Sequence, residues 1–269
     1  MTLFEFKEKI KIFFSSSLFD ITVDEDVLKI LYDDHTKEFV LNKQDFNNIN
    51  KQLQDNKSDN YFDLFYDEKY YEALIVSDSF RFLKEEELSV EDSVNHISYK
   101  YGGVSRELTL SLLLNMSTSW GTIINRRPSI ALMHRIESVR STNILDLFSE
   151  VFIKYNSLKI TTTNAVSLDK IKSYAHSYTY SFMYNRQIPI SLYNDIQFGP
   201  NFRLRNIRTI EDTFDSPKKT YNPELIAYYN EAISSTIPSH QYLSFYHILE
   251  YLYEKIFSED QINKAREII

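Results

Sequence analysis

The sequence predicts an α+β fold, with an N-terminal antiparallel sheet and helices, a helical middle and an α-helical C-terminal segment. Short β-rich runs separated by polar clusters occupy residues 18–83, whereas apolar residues at helical spacing predominate from about residue 106. A clear helix start follows at Asn222. We therefore divide the chain into an α+β domain over 1–103, a mainly helical basic region over 104–210, and a helical segment over 222–269.

The first hundred residues combine both periodicities. Leu3, Phe6, Ile10 and Phe13 recur every three or four residues, as in a helix with one buried face. Residues 42–54 show helical spacing again, which predicts a short helix covering one face of a sheet. Strands are expected at residues 19–23, 27–32, 38–41, 61–66, 70–76 and 96–101. The polar turns between them predict antiparallel hairpins.

Helices predominate in the middle of the chain. Ser105 is a suitable N-cap for a helix over 106–116, and Pro128 suits the first turn of a helix that ends near Arg140. Further helices are expected over 144–155 and from Ser167 to Phe182, with a strand over 158–163 between them.

The C-terminal segment begins with Asn222 as N-cap, Pro223 at the first helical position and Glu224 in the first turn. A second helix over 239–257 is apolar on nearly every side and needs partners all round. The capping box at Ser258 predicts a third helix. Because this third helix shows no C-cap pattern, we expect a truncated or docked end.

Composition and charge exclude several classes of protein. The chain of 269 residues has no cysteine, so disulfides, thiolate nucleophiles and cysteine-ligated metals are excluded. No run approaches the ~18 apolar residues needed to span a bilayer, which predicts a cytoplasmic protein without membrane contact. Neither a cofactor nor a metal site is expected, since no glycine-rich phosphate loop or metal-binding motif occurs.

Charge is segregated along the chain. Residues 1–100 carry 12 basic and 22 acidic residues, residues 101–210 carry 13 and 6, and residues 211–269 carry 5 and 10. A basic block attracts polyanions even in an acidic chain, which favours RNA or another nucleic acid as a partner. Pairing of the block with the acidic N-terminal region explains the segregation equally well.

The C-terminal residues resemble a known family. The stretches YNPEL at 221–225, YYNEAISS at 228–235 and QYLSFYHILEY at 241–251 resemble the first helices of bacterial Apea-like HEPN domains. The resemblance covers the last ~50 residues and implies an all-helical, usually dimeric domain, of a kind that often cleaves RNA without metal in toxin or phage-defence systems. It also implies an Arg-x4–6-His motif in a later helix. No His follows Arg266, so this motif lies beyond residue 269 or the copy is inactive.

One literal match to that spacing occurs elsewhere, from Arg127 to His134. In the family's chemistry His acts as general acid or base and Arg stabilises the developing phosphorane charge, while an acidic residue such as Glu250 assists. The same residues have non-catalytic explanations. Arg127 and His134 fit a helix-start arginine pair with a partly buried His. Glu250 fits a polar stripe that it shares with His247 and Glu254. The candidate anion- or nucleic-acid-binding residues are Arg126, Arg135, Arg140, Arg203, Arg205 and Arg208.

Two functional hypotheses follow. The first is an anti-phage defence or toxin-like protein, in which an N-terminal sensor or regulatory region is joined to a HEPN-like end that acts on RNA. The alternative is a non-catalytic module that binds nucleic acid or protein and forms homo-oligomers through its aromatic C-terminal helices.

Overall fold

A computed structural model describes most of the chain, in two compact units. The described residues are 2–11, 19–24, 26–32, 37–58, 60–77, 87–115, 130–186, 188–193, 217, 219–235 and 237–267. The first unit comprises Met1–Val76 and Phe80–Leu168, and the second comprises Asp169–Ile269 with Ser77–Ser79. Antiparallel sheets and helices together confirm the α+β fold class.

The first unit begins with helix α1 (Leu3–Lys11) and a three-stranded antiparallel sheet. The sheet has the order β1 (Phe19–Asp24), β2 (Val27–Tyr32) and β3 (Lys37–Asn42). Alternate residues of β2 are buried, as expected for a sheet covered on one face. Helix α2 (Lys43–Gln54) contacts α1 through Phe6 and Phe46, whose ring centroids lie 5.3 Å apart.

A second antiparallel sheet follows, in the order β4, β5, β8, β7, β6. Its strands are β4 (Asp63–Tyr66), β5 (Tyr70–Ser77), β6 (Leu88–Asp92), β7 (Ile97–Gly102) and β8 (Asn156–Thr162). Asp67 and Glu68 both have positive φ, of 49° and 55°, in the tight turn between β4 and β5. The Lys69 amide donates to the Tyr66 carbonyl at 3.0 Å, so Asp67 and Glu68 are the two central residues of this turn, where the hairpin twist favours positive φ. Because β8 pairs with both β5 and β7, the domain boundary predicted at residue 103 lies inside the first unit.

Short helices lie in the chain between β7 and β8 of the second sheet: α3 (Arg106–Leu114), α4 (Ile130–Ser138), α5 (Ile144–Leu147) and a π-helix (Phe148–Phe152). The predicted cap is confirmed, since the Ser105 side chain accepts a hydrogen bond from the Leu108 amide at 3.1 Å. The Lys37 ammonium donates to three carbonyls at the end of α4, those of residues 136, 137 and 139, at 2.6–2.8 Å. A cation there offsets the negative end of the helix dipole.

A paired carboxylate joins α3 to α5. The Arg106 guanidinium donates two hydrogen bonds to Asp146, at 2.8 and 2.6 Å. Burial by itself would raise the pKa of Asp146, but the hydrogen bonds from Arg106 and Ser141 hold it below its ordinary value. The carboxylate therefore stays charged and keeps the two helices paired near neutral pH.

The second unit contains α6 (Leu168–Arg186), β9 (Ile190–Leu192), α7 (Pro223–Ser234) and α8 (Pro238–Glu267). The predicted start at Asn222 is confirmed, because its side chain accepts a hydrogen bond from the Glu224 amide at 2.8 Å. The predicted break at Ser258 is wrong. No Gly or Pro interrupts residues 239–267, so α8 continues through the capping-box sequence as one helix of 30 residues.

Among the described residues, no helix combines the length and apolar content that crossing a bilayer requires. The same residues bring no three His, Asp or Glu side chains together in a group that could hold a metal ion.

Candidate interaction surface

The long helix α8 folds back on α7 through a short turn. The Gln241 side chain donates to the Ser235 carbonyl at 2.7 Å, and the His240 amide donates to the Ile237 carbonyl at 3.0 Å. These bonds satisfy polar groups that a helix end leaves without partners. Pro238 starts α8 at a position where the absence of a backbone N–H costs nothing.

One face of α8 packs against α7. Ser244 is buried on this face, and Gln241, Ile248 and Tyr251 are half-buried beside it. The Asn222 side chain donates to the Tyr251 hydroxyl at 2.8 Å, and the Tyr229 and Phe245 rings lie 6.2 Å apart. The start of α7 is thereby fixed against the middle of α8.

The two helices differ greatly in length. At 1.5 Å per residue, the 12 residues of α7 extend over about 18 Å and the 30 residues of α8 over about 45 Å. Beyond Tyr251, every residue from 252 to 262 is exposed. The C-terminal half of α8 therefore extends past the end of α7 without its support.

The outer side of α8 carries a continuous set of large apolar residues, which we call the aromatic face. They lie within about 140° of the helix circumference, at 100° per residue. All of them are between 41% and 72% exposed. Its members are Tyr242, Phe245, Tyr246, Leu249, Leu252, Tyr253, Ile256 and Phe257.

The size of the aromatic face is unusual for a free surface. With about 200 Å² of surface per large side chain, eight residues exposed by about half present roughly 900 Å². The largest apolar patch of a typical monomer measures about 300–600 Å² and is often functional. The aromatic face is therefore larger than the largest apolar patch of a typical monomer.

The charges around the aromatic face are mainly negative. Residues 238–262 include four acidic side chains and one lysine. His247 and Glu250 lie at the flank of the face, with 3.4 Å between Nδ1 and Oε2, and the His247 ring stacks on Tyr228 at 5.1 Å. A polyanion would meet net repulsion here.

A tyrosine cluster joins α7 to α6. The Tyr180 ring lies 4.6 Å from Tyr221 and 5.3 Å from Tyr229, and the Ser177 hydroxyl accepts from the Tyr221 amide at 3.2 Å. Burial raises the pKa of Tyr180, and the neighbouring tyrosines add to the effect. The phenol therefore remains protonated near neutral pH and serves packing.

The predicted catalytic residues lie in different places. His134 is on α4 in the first unit, with a side chain 75% exposed and 3.5 Å from Glu137. Glu250 is on α8 in the second unit, where its nearest titratable neighbour is His247. Arg127 lies outside the described residues. Neither unit, in its described part, brings two of the three together.

Of the six predicted anion-binding arginines, two lie within the described residues. Arg135 donates to the Glu150 carbonyl of the π-helix, so it contacts the protein's own backbone. Arg140 is exposed at the surface of the first unit. The other four candidates, Arg126, Arg203, Arg205 and Arg208, lie outside the described residues.

A buried carboxylate on β5 went unnoticed in the sequence. Glu72 has no exposed surface and accepts hydrogen bonds from the Tyr70 hydroxyl at 2.9 Å, the Ser105 amide at 3.0 Å and the Ser157 hydroxyl at 2.6 Å. Lys159 of β8 lies 3.9 Å away. A charged residue amid the apolar residues of a strand was the only sign of it.

The surroundings of Glu72 make its role structural. Burial raises the pKa of both Tyr66 and Tyr70, and the negative charge of nearby carboxylates raises it further. Both phenols therefore stay protonated over the physiological range, and Tyr70 donates its proton to the hydrogen bond with Glu72. Three donors and a lysine hold the carboxylate in place, which ties the start of α3 to the second sheet. The Lys159–Glu72 pair also joins the basic middle to the acidic N-terminal region.

Comparison with known proteins adds no relative. No protein-family model matches the chain, no curated protein matches it, and no solved structure matches it. The resemblance to HEPN domains stays a prediction from the C-terminal residues.

Proposed function

We propose that this protein is an interaction module that self-associates through the aromatic face of α8. The observation that carries the proposal is the exposure of eight large apolar side chains along one side of a single helix. In this arrangement each copy brings its own α+β unit into the assembly.

The area of the face supports a second copy as the occupant. Each partner of a standard protein interface contributes about 800 Å², and the aromatic face offers roughly 900 Å². Tyr and Phe are among the residues enriched in the cores of such interfaces. Four acidic side chains against one lysine in residues 238–262 disfavour a nucleic acid at the same face.

The extension of α8 past α7 supports the same proposal. Short isolated helices are marginal in water, and most helical stability in proteins comes from packing an apolar side. Leu252, Tyr253, Ile256 and Phe257 lie in the part of α8 that α7 does not reach. A second copy supplies the packing that this part lacks.

A double substitution tests the proposal. Leu249→Glu with Ile256→Glu places one charge at the middle of the aromatic face and one near its C-terminal end, and should convert the assembly to single chains of 31.9 kDa in light scattering after gel filtration. The matched control, Leu243→Glu with Ile262→Glu, changes the same residue types at similar exposure off the face and should remain assembled. Circular dichroism checks that both variants keep their helices. Equal masses for wild type and both variants would refute the proposal.

Metal-independent RNA cleavage is the second candidate, in the defence or toxin setting that the HEPN resemblance implies. The exposed His247–Glu250 pair favours it, because a His beside a carboxylate suits general acid–base chemistry. Labelled RNA incubated with the protein in EDTA distinguishes the two candidates. Cleavage that is lost in His247→Ala supports the enzyme. RNA that stays intact with the folded wild-type protein rules out the enzyme and leaves the self-associating module.

A further inference from the structure

We propose that the two copies pair through α8 in antiparallel orientation, with the two-fold axis between Leu249 and Glu250. This inference rests on the self-association proposed above and adds the direction and register of the pair.

The extent of the aromatic face sets the register. Its first member is Tyr242 and its last is Phe257, so its midpoint lies between residues 249 and 250. An antiparallel pair centred there places Tyr242 of one copy opposite Phe257 of the other, and Tyr246 opposite Tyr253. The other four members, Phe245, Leu249, Leu252 and Ile256, then lie within one residue's rise of Tyr253, Leu249, Tyr246 and Tyr242 of the other copy, respectively.

Asp260 lies at the C-terminal end of the face. It follows Ile256 by four residues and Tyr253 by seven, so it continues the aromatic face. A parallel pair would place the two Asp260 residues opposite each other, whereas an antiparallel pair places each Asp260 beside Ser239 of the other copy.

The start of α8 offers a favourable environment for that carboxylate. The first turn, from Pro238 to Gln241, contains no acidic residue and includes His240. Backbone amides at a helix start also carry partial positive charge. Asp260 of each copy therefore lies near the electropositive start of the other α8.

The unequal lengths of α7 and α8 favour the same direction. Helix α7 backs α8 only as far as Tyr251. In a parallel pair, the two extended ends would lie side by side without α7. In the antiparallel pair, each extended end packs along the half of the other α8 that α7 supports, which gives a four-helix arrangement with both ends covered.

Cysteine cross-linking tests the direction, because the natural chain has no cysteine. Ser239→Cys and Asp260→Cys each introduce one thiol while leaving the aromatic face intact. The two positions are 21 residues apart, or about 31 Å along a helix. A disulfide requires Cα atoms within about 7 Å. Ser239→Cys copies mixed with tagged Asp260→Cys copies should therefore form the mixed covalent dimer under mild oxidation.

The controls separate this inference from the proposed function. Ser239→Cys alone keeps Asp260 and should form no covalent dimer with itself. Self-cross-linking of Ser239→Cys in an assembled sample would establish a parallel pair. An assembled sample without any cross-link would refute the register. Either of these two results overturns the antiparallel pairing but leaves the self-association standing. Single-chain mass for the wild type and both variants would instead refute the self-association itself.

Discussion

Truncation of one leucine at the centre of the aromatic face should weaken self-association strongly. Leu249 is 53% exposed in one copy, and a second copy would cover the exposed part. Leu249→Ala removes three carbons, each contributing about 0.8 kcal/mol when fully buried. Scaled by the exposed fraction, the loss is about 1.3 kcal/mol per copy and about 2.5 kcal/mol per dimer. That corresponds to a roughly 60-fold increase in the dimer Kd.

Leu243 supplies the matched control for this substitution. It is the same residue type on the same helix, is 51% exposed, and lies about 120° from Leu249 around the axis. Leu243→Ala should change the Kd by about twofold at most, as expected for a surface position. Sedimentation equilibrium over a range of concentrations measures both constants. Equal effects of the two substitutions would show that the aromatic face is not the contact surface.

Three further predictions concern the first unit, with stability measured by urea unfolding. Glu72→Gln should lower the free energy of unfolding by about 2–3 kcal/mol, because hydrogen bonds to a buried charge are strong. The control Glu91→Gln, at an exposed position, should change the free energy of unfolding by less than about 0.5 kcal/mol. Lys37→Met removes the donor to three carbonyls and should lower the free energy of unfolding by about 1–2 kcal/mol. The control Lys29→Met removes one partner of an exposed ion pair and should lower it by about 0–1 kcal/mol. Since the pKa of Asp146 is lowered on folding, its contribution is present above the unfolded value of about 3.9 and is lost as pH falls through the lower folded value. The stability difference between wild type and Asp146→Asn should therefore shrink below about pH 4; a difference that grows there would contradict the Asp146 assignment.

Local sequence patterns predicted much of the fold because the interactions that form these elements are local. The Asn222 cap and the strand over 27–32 depend on neighbours within a few residues, and both occur in the structure. Strand β6 was not predicted, because Leu88–Asp92 follows an acidic run and its partner β7 supplies the pairing. The break expected at Ser258 did not occur, since a capping box starts a helix only where the preceding chain has left helical geometry.

The candidate surface was only partly predictable. The apolar content of residues 239–257 indicated packing on nearly every side, but α7 covers only one side of α8, and only as far as Tyr251, so the outer side is exposed. Glu72 could not be recognised from its neighbours, because Ser105 and Ser157 lie 33 and 85 residues away along the chain. Contacts between distant segments decide burial, and a single sequence does not show them.

The mass of the wild-type protein in solution tests the central claim most directly. Sedimentation equilibrium from low to high micromolar concentration should give a mass that rises from one chain of 31.9 kDa toward twice that value and fits a monomer–dimer equilibrium. A mass of one chain at every concentration would contradict the claim that a second copy covers the aromatic face of α8.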